Sequence, residues 1–137
     1  MCMIDCYRMK GNNSMSNETE AQIQKRLSTH LDSLNVLWTA TANGGKRDKR
    51  TASSLKAQGV KRGVPDILIF TPPINTQYLG FAIELKVPST DTRRKGRVSE
   101  HQRIWMQELR SLGWRAEIAY GFDHAVELLE KAGYTHE

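Results

Sequence analysis

The sequence predicts an α/β protein in which helices flank a mixed central sheet of about four strands. Three observations point there. Apolar residues recur at helical spacing in three separate segments, short runs of strand formers lie between them, and a strand, a helix and a strand follow one another between 81 and 120. That last order is the signature of a right-handed parallel crossover. The 137 residues, 39% of them hydrophobic, suffice for one domain with a real core. Residues 1–16 are polar and read as a flexible lead-in, with Met15 an alternative start, so the domain is expected over 17–137.

The first helix is expected from Asn17, with Glu20 completing a capping box and Ile23, Leu27, Leu31 and Leu34 forming its buried stripe. Val36 to Thr41 is rich in strand formers, and Asn43-Gly44-Gly45 is a turn. A short helix over Thr51 to Gln58 is closed by Gly59. Gly63 to Asp66 is extended because Pro65 pushes its predecessor out of the helical region. Ile67 to Phe70 and Phe81 to Val87 are strands, separated by a loop holding two prolines. Ser99 caps the next helix, with Gln102 in the box position and Trp105, Leu109 and Leu112 buried, before Gly113 ends it. Residues 114–120 alternate as a strand, and Asp123 caps a last helix carrying Val126, Leu128 and Leu129, closed by Gly133. Trp38, Trp105 and Trp114 read as core, and the four histidines as ordinary polar residues.

Composition excludes several classes. No apolar run approaches the roughly 18 residues of a membrane span, and the N-terminus lacks the apolar core of a secretory signal. Cys2 and Cys6 are the only cysteines, too few for a disulfide scaffold and badly placed for zinc. A reducing, cytoplasmic setting is expected. Twenty Lys and Arg against fifteen Asp and Glu give a net charge of +5, which suits a polyanionic partner. Lys46, Arg47, Lys49, Arg50, Lys56, Lys61 and Arg62 form one basic run, opposed only by Asp48. Arg93, Arg94, Lys95 and Arg97 form a second. Both flank the central strands and suit contacts to the phosphates of a polyanion that do not read sequence; a merely solvated surface is the alternative.

The chemistry gathers in the strand from Phe81. Alternation puts Phe81, Ile83, Leu85 and Val87 on one face and Ala82, Glu84 and Lys86 on the other. A carboxylate and an ammonium in an apolar strand are costly if that face is buried. Two readings stand: a solvated edge strand with a weak ion pair, or a site that Asp66 joins from the preceding strand. Two converging carboxylates suit Mg²⁺ or Mn²⁺, with the Leu85 carbonyl as a third oxygen and Lys86 positioned to act on a water or on phosphate charge. Asp66 alone also reads as a turn residue, and Glu20 and Gln102 as capping residues. A helix start favours anions, so the capping and site roles are compatible. The absence of a GxxxxGK[ST] loop leaves nucleotide hydrolysis of that kind unsupported.

Pro65-Asp66, a gap of seventeen residues and Glu84-Leu85-Lys86 resemble the PD-(D/E)XK nuclease signature. Asn43-Gly44-Gly45, Leu55 to Asp66 and Ile83 to Pro88 resemble the VRR-NUC (virus-type replication-repair nuclease) family more specifically, as do Ser99, Gln102, Trp105, Leu109, Gly113 and Tyr120-Gly121 before Asp123. The resemblance runs from about Glu20 to Leu129 and implies an αβββαβ nuclease core. It also implies a Mg²⁺- or Mn²⁺-dependent DNA endonuclease with Glu20, Asp66, Glu84 and Lys86 in the site and Gln102 beside them; Glu18 competes with Glu20. Family members made of this domain alone are homodimers acting on four-way (Holliday) junctions, which the short chain favours. Flap, nicking or duplex cutting on the same core, and a non-catalytic DNA-binding module, are the alternatives.

Overall fold

The computed structural model describes residues 17–41 and 48–136. The expected lead-in over 1–16, the Asn43-Gly44-Gly45 turn, Lys46 and Arg47 lie outside the described residues. Within them the order is α1 (Glu20–Ser33), β1 (Trp38–Ala40), α2 (Lys49–Ala57), β2 (Ile67–Ile69), β3 (Phe81–Lys86), α3 (Glu100–Ser111), β4 (Arg115–Tyr120) and α4 (Phe122–Lys131). The strands form one mixed sheet in the order β1-β2-β3-β4. β1 and β3 each run antiparallel to β2, and β3 runs parallel to β4 with α3 as the connection. The α/β class and the parallel pairing are as the sequence predicts. No helix among the described residues is long and apolar enough to cross a membrane.

Period-two alternation in β3 separates two packing layers. Phe81, Ile83 and Leu85 join Ile67 and Ile69 in the main core, against Ile23, Leu27 and Leu31 of α1 and Ala125 and Leu129 of α4. Ala82 faces the other way and packs with Met106 of α3 and Ala116 of β4. Each large aliphatic side chain buried in the main core contributes about 1.5–3 kcal/mol. Glu84 and Lys86 continue the Ala82 face, and all six residues of β3 are buried. The solvated edge strand is thereby ruled out: β3 is an inner strand, paired on both sides.

Three local expectations give way. α1 is capped by Thr19 with Gln22 in the box, not by Asn17 with Glu20. Both pairs fit the local rule, and tertiary contacts decide between them, because the Asn17 side chain is occupied by Thr90 and Thr92. α4 begins at Phe122 with Gly121 at its N-cap, and no side chain caps it. Gly121 sits at φ 93°, a left-handed turn that brings the chain straight from β4 into the helix, leaving Asp123 inside the first turn. In α3 the fully buried residue is Met106, while Leu112 at the C-cap is 66% exposed and Trp105 and Leu109 are half-buried. α2, capped by Asp48, buries no residue at all.

Candidate active site

Asp66 is delivered by the lead into β2. Thr41, just past β1, holds that lead in place: its N–H donates to the Asp66 carbonyl at 2.9 Å and its hydroxyl to the Pro65 carbonyl at 2.7 Å. Ile67 pairs with Ile83 across the sheet, so Asp66 falls opposite Glu84. The Leu85 N–H donates to Asp66 Oδ2 at 2.8 Å and fixes the carboxylate beside β3.

Glu84 is 2% exposed and Lys86 7%. The Lys86 Nζ lies 3.6 Å from Glu84 Oε1. Gln102 Nε2 donates to the same oxygen at 2.7 Å. The Gln102 side-chain oxygen meanwhile accepts from the Ser99 N–H at 2.9 Å, closing the capping box of α3. One amide therefore starts the helix and holds the glutamate. The other carboxylate oxygen, Glu84 Oε2, is buried and meets no N–H or O–H donor of the chain, while the Glu84 and Asp66 carboxyls are close enough to share a proton.

Glu20, the first residue of α1, lines the same cleft. With Gln22 taking the capping role, its carboxylate is left for the cleft. Glu18 points elsewhere, pairing with Arg26 at 2.6 Å. The cleft has a volume of about 300 Å³ and is lined by Glu20, Asp66, Glu84 and Lys86 together with Arg62, Gly63, Ser99, His101 and Gln102. A larger depression of about 440 Å³ runs along Asn17, Glu18, Gln22, Lys25 and Arg26 and holds none of these four groups.

The electrostatics follow from three acids around one ammonium. Burial pushes the Glu84 carboxyl from 4.5 to about 8, reinforced by the Asp66 charge and only partly offset by Lys86. Burial raises Asp66 as well, against the pull of the Leu85 N–H, a hydrogen bond with the Glu84 carboxyl and the Lys86 charge. Glu20 is raised by burial, with Lys86 opposing and Asp66 adding to it. Such a cluster is under-neutralised and suited to a cation. Among the described residues, no three acidic, histidine or cysteine side chains make a metal shell by themselves. A backbone oxygen or water would have to complete one.

Sequence reasoning assigned no role to Gly63 or His101. Gly63 has φ 85°, and a Cβ there would lie 2.5 Å from the His101 carbonyl carbon. The Arg62–Gly63 loop is thus pressed onto the first turn of α3, which brings Arg62 and His101 to the cleft. A glycine just ahead of Val64-Pro65-Asp66 was the available signal.

The expected phosphate contacts divide. Lys49, Arg50, Lys56, Lys61, Arg62, Arg94, Lys95 and Arg97 are exposed, with Lys95 lying 5.1 Å from the Tyr120 ring centroid. Arg93 is half-buried and donates to the Glu18 carbonyl at 2.7 Å.

A mixed four-stranded sheet between helices, with an inner strand carrying a buried Glu-x-Lys beside an aspartate, is an α/β core of the nuclease type. The VRR-NUC domain model matches residues 18–123, and the chain belongs to that family. A solved structure described as a VRR_NUC domain protein has the same fold, with a TM-score of 0.64 at 19% identity over 89% of this chain and 100% of that one. Among curated proteins, none matches the chain.

Proposed function

We propose that the protein is a metal-dependent, structure-selective DNA endonuclease that hydrolyses phosphodiester bonds, cutting four-way junctions as a homodimer. The observation that carries this reading is the burial of Glu84 and Lys86 on an inner strand, with Asp66 and Glu20 at the same cleft. Burying unbalanced charge opposes stability, so the arrangement calls for a functional reason.

The donor set fits Mg²⁺ or Mn²⁺: hard carboxylate oxygens, one of them, Glu84 Oε2, buried and met by no N–H or O–H donor of the chain. Asp66, Glu84 and the Leu85 carbonyl would hold the ion, with Glu20 reaching it directly or through a water. When bound, it supplies a more acidic water and a countercharge for phosphoryl oxygens. Gln102 grips Glu84 Oε1 and so fixes the carboxylate at the cleft. Lys86 holds the attacking water or offsets the charge that gathers on phosphorus-bound oxygen. The exposed cations of α2 and of the 89–98 loop, with Arg62, contact backbone phosphates, giving binding that depends on salt and not on base sequence. The branched substrate and the homodimer rest on the resemblance to single-domain members, and a two-fold pair would supply two symmetric cuts.

The test is a labelled four-way junction, a 5′ flap, a duplex and a single strand, each with Mg²⁺, Mn²⁺ or EDTA, and the Asp66→Ala protein alongside. Paired symmetric cuts in the junction, lost in EDTA and in the variant, are expected. Undiminished cutting by Asp66→Ala sinks the site, and cutting of the flap or duplex alone replaces the substrate.

A further inference from the structure

The loop after β3 does more than carry charge. Thr90 and Arg93 form an isolated bridge that folds it back on itself. Gly96 then packs against Lys86, its position 3.2 Å from the Lys86 Cδ for an added Cβ, and its N–H donates to the Val87 carbonyl. From there the loop reaches the two residues ahead of the α1 cap. The Thr90 hydroxyl donates to Asn17 Oδ1 at 2.7 Å, Asn17 Nδ2 donates to the Thr92 hydroxyl at 2.9 Å, and Arg93 Nη1 donates to the Glu18 carbonyl at 2.7 Å. These bonds bridge some 75 positions of sequence and end two or three residues before Glu20. Two further guanidinium nitrogens of Arg93, Nε and Nη2, are buried without a partner. The Arg93 guanidinium is thus partly withdrawn from water and turned onto a backbone carbonyl, unlike its exposed neighbours Arg94, Lys95 and Arg97.

We propose that Arg93, with Asn17, is a positioning residue that clasps the start of α1 to the Lys86 strand and so holds the Glu20 carboxylate over Asp66 and Glu84. The inference rests on the nuclease reading of the cleft and assigns to Arg93 a task other than DNA contact. The clasp acts through Glu20, so its loss matters only while Glu20 is present.

The experiment is a double-mutant cycle of Arg93→Ala and Glu20→Ala, with Arg93→Lys as the conservative variant and Arg94→Ala as the comparison for loss of a phosphate contact. Three readouts are taken: single-turnover cutting of the junction, Mn²⁺ affinity by calorimetry, and amide exchange of residues 17–23 in EDTA. Arg93→Ala is expected to lower the cutting rate and Mn²⁺ affinity about ten- to a hundredfold, as loss of an outer support does. DNA affinity and its salt slope stay unchanged, and exchange of the first turn of α1 speeds up. The double variant should match Glu20→Ala, and Arg93→Lys should recover most of the loss by keeping a donor to Glu18. Additive losses, or a weaker salt slope with unchanged cutting, would make Arg93 a phosphate contact and overturn the proposal. Unchanged exchange in Arg93→Ala would overturn it even if the wild-type protein cut nothing. Absence of both cutting and Mn²⁺ binding in the wild type would instead defeat the nuclease reading.

Discussion

Replacing Glu84 by glutamine should abolish cutting and yet make the metal-free protein more stable at high pH. The folded-state carboxyl lies near 8 against an ordinary 4.5. Below 4.5 both folded and unfolded chains keep the proton. Between 4.5 and 8 the unfolded chain releases it and the folded chain does not, so stability declines as pH rises and levels off above 8. At about 1.4 kcal/mol per pH unit the interval gives a ceiling of about 5 kcal/mol. Local relaxation and water entry reduce that, and a gain of about 2–3 kcal/mol for the glutamine protein at pH 9 is expected. For a chain of this length that corresponds to a Tm about 8 °C higher. At pH 5 the two proteins should melt within a degree or two of each other. Glutamine keeps an oxygen for the Gln102 amide, so the contact at that oxygen survives the change. Thermal melts in EDTA across pH 5 to 9 give the answer. A glutamine protein no more stable than wild type at pH 9, or a gap independent of pH, would refute the argument that buried charge is what the fold tolerates at Glu84.

Three further outcomes are expected. Gly63→Ala puts a methyl 2.5 Å from the His101 backbone at a positive φ; a loss of about 2–3 kcal/mol in urea melts, with slower cutting by whatever folds, would follow. Arg62→Ala should weaken junction binding at all sequences and reduce the slope of log affinity against log salt by about 1, read by fluorescence anisotropy at several salt concentrations. Tyr134→Phe removes the hydroxyl that donates to the Thr71 carbonyl at 2.6 Å; denaturant melts should show a loss of about 1 kcal/mol, with the chemistry untouched.

The legible part of the site was the part written at short range. Alternation in β3 placed Glu84 and Lys86 together, and the strand before it placed Asp66 at its own start. What alternation could not supply was whether that face meets water. That depended on α3, whose Met106 and Gln102 cover the face that carries Ala82 and Glu84. The start of α1 illustrates the same limit. Asn17 with Glu20 and Thr19 with Gln22 both offer a cap and a box residue, the second with the usual hydroxyl, and the Asn17 side chain is taken up by Thr90 and Thr92, more than seventy positions away. Leu112 fits the apolar spacing of α3 but lies at its last turn, where the sheet no longer covers it. Gly121 begins α4 by its backbone angle, a property no side-chain pattern announces. Arg93 sits among exposed cations in the sequence and is half-buried in the fold, because its partner is a carbonyl at the other end of the chain.

Capping boxes ordinarily accept glutamate or glutamine at the third helical position, since only the side-chain oxygen is used. Gln102 has lost that freedom of exchange. Its oxygen serves the helix and its nitrogen serves Glu84, and no other common side chain offers an acceptor and a donor on one flat group at that reach. Glutamate would preserve the helix and set an anion against an anion; shorter asparagine could not span both partners. A position that a helix alone would leave interchangeable is narrowed to a single amino acid by two requirements with nothing else in common.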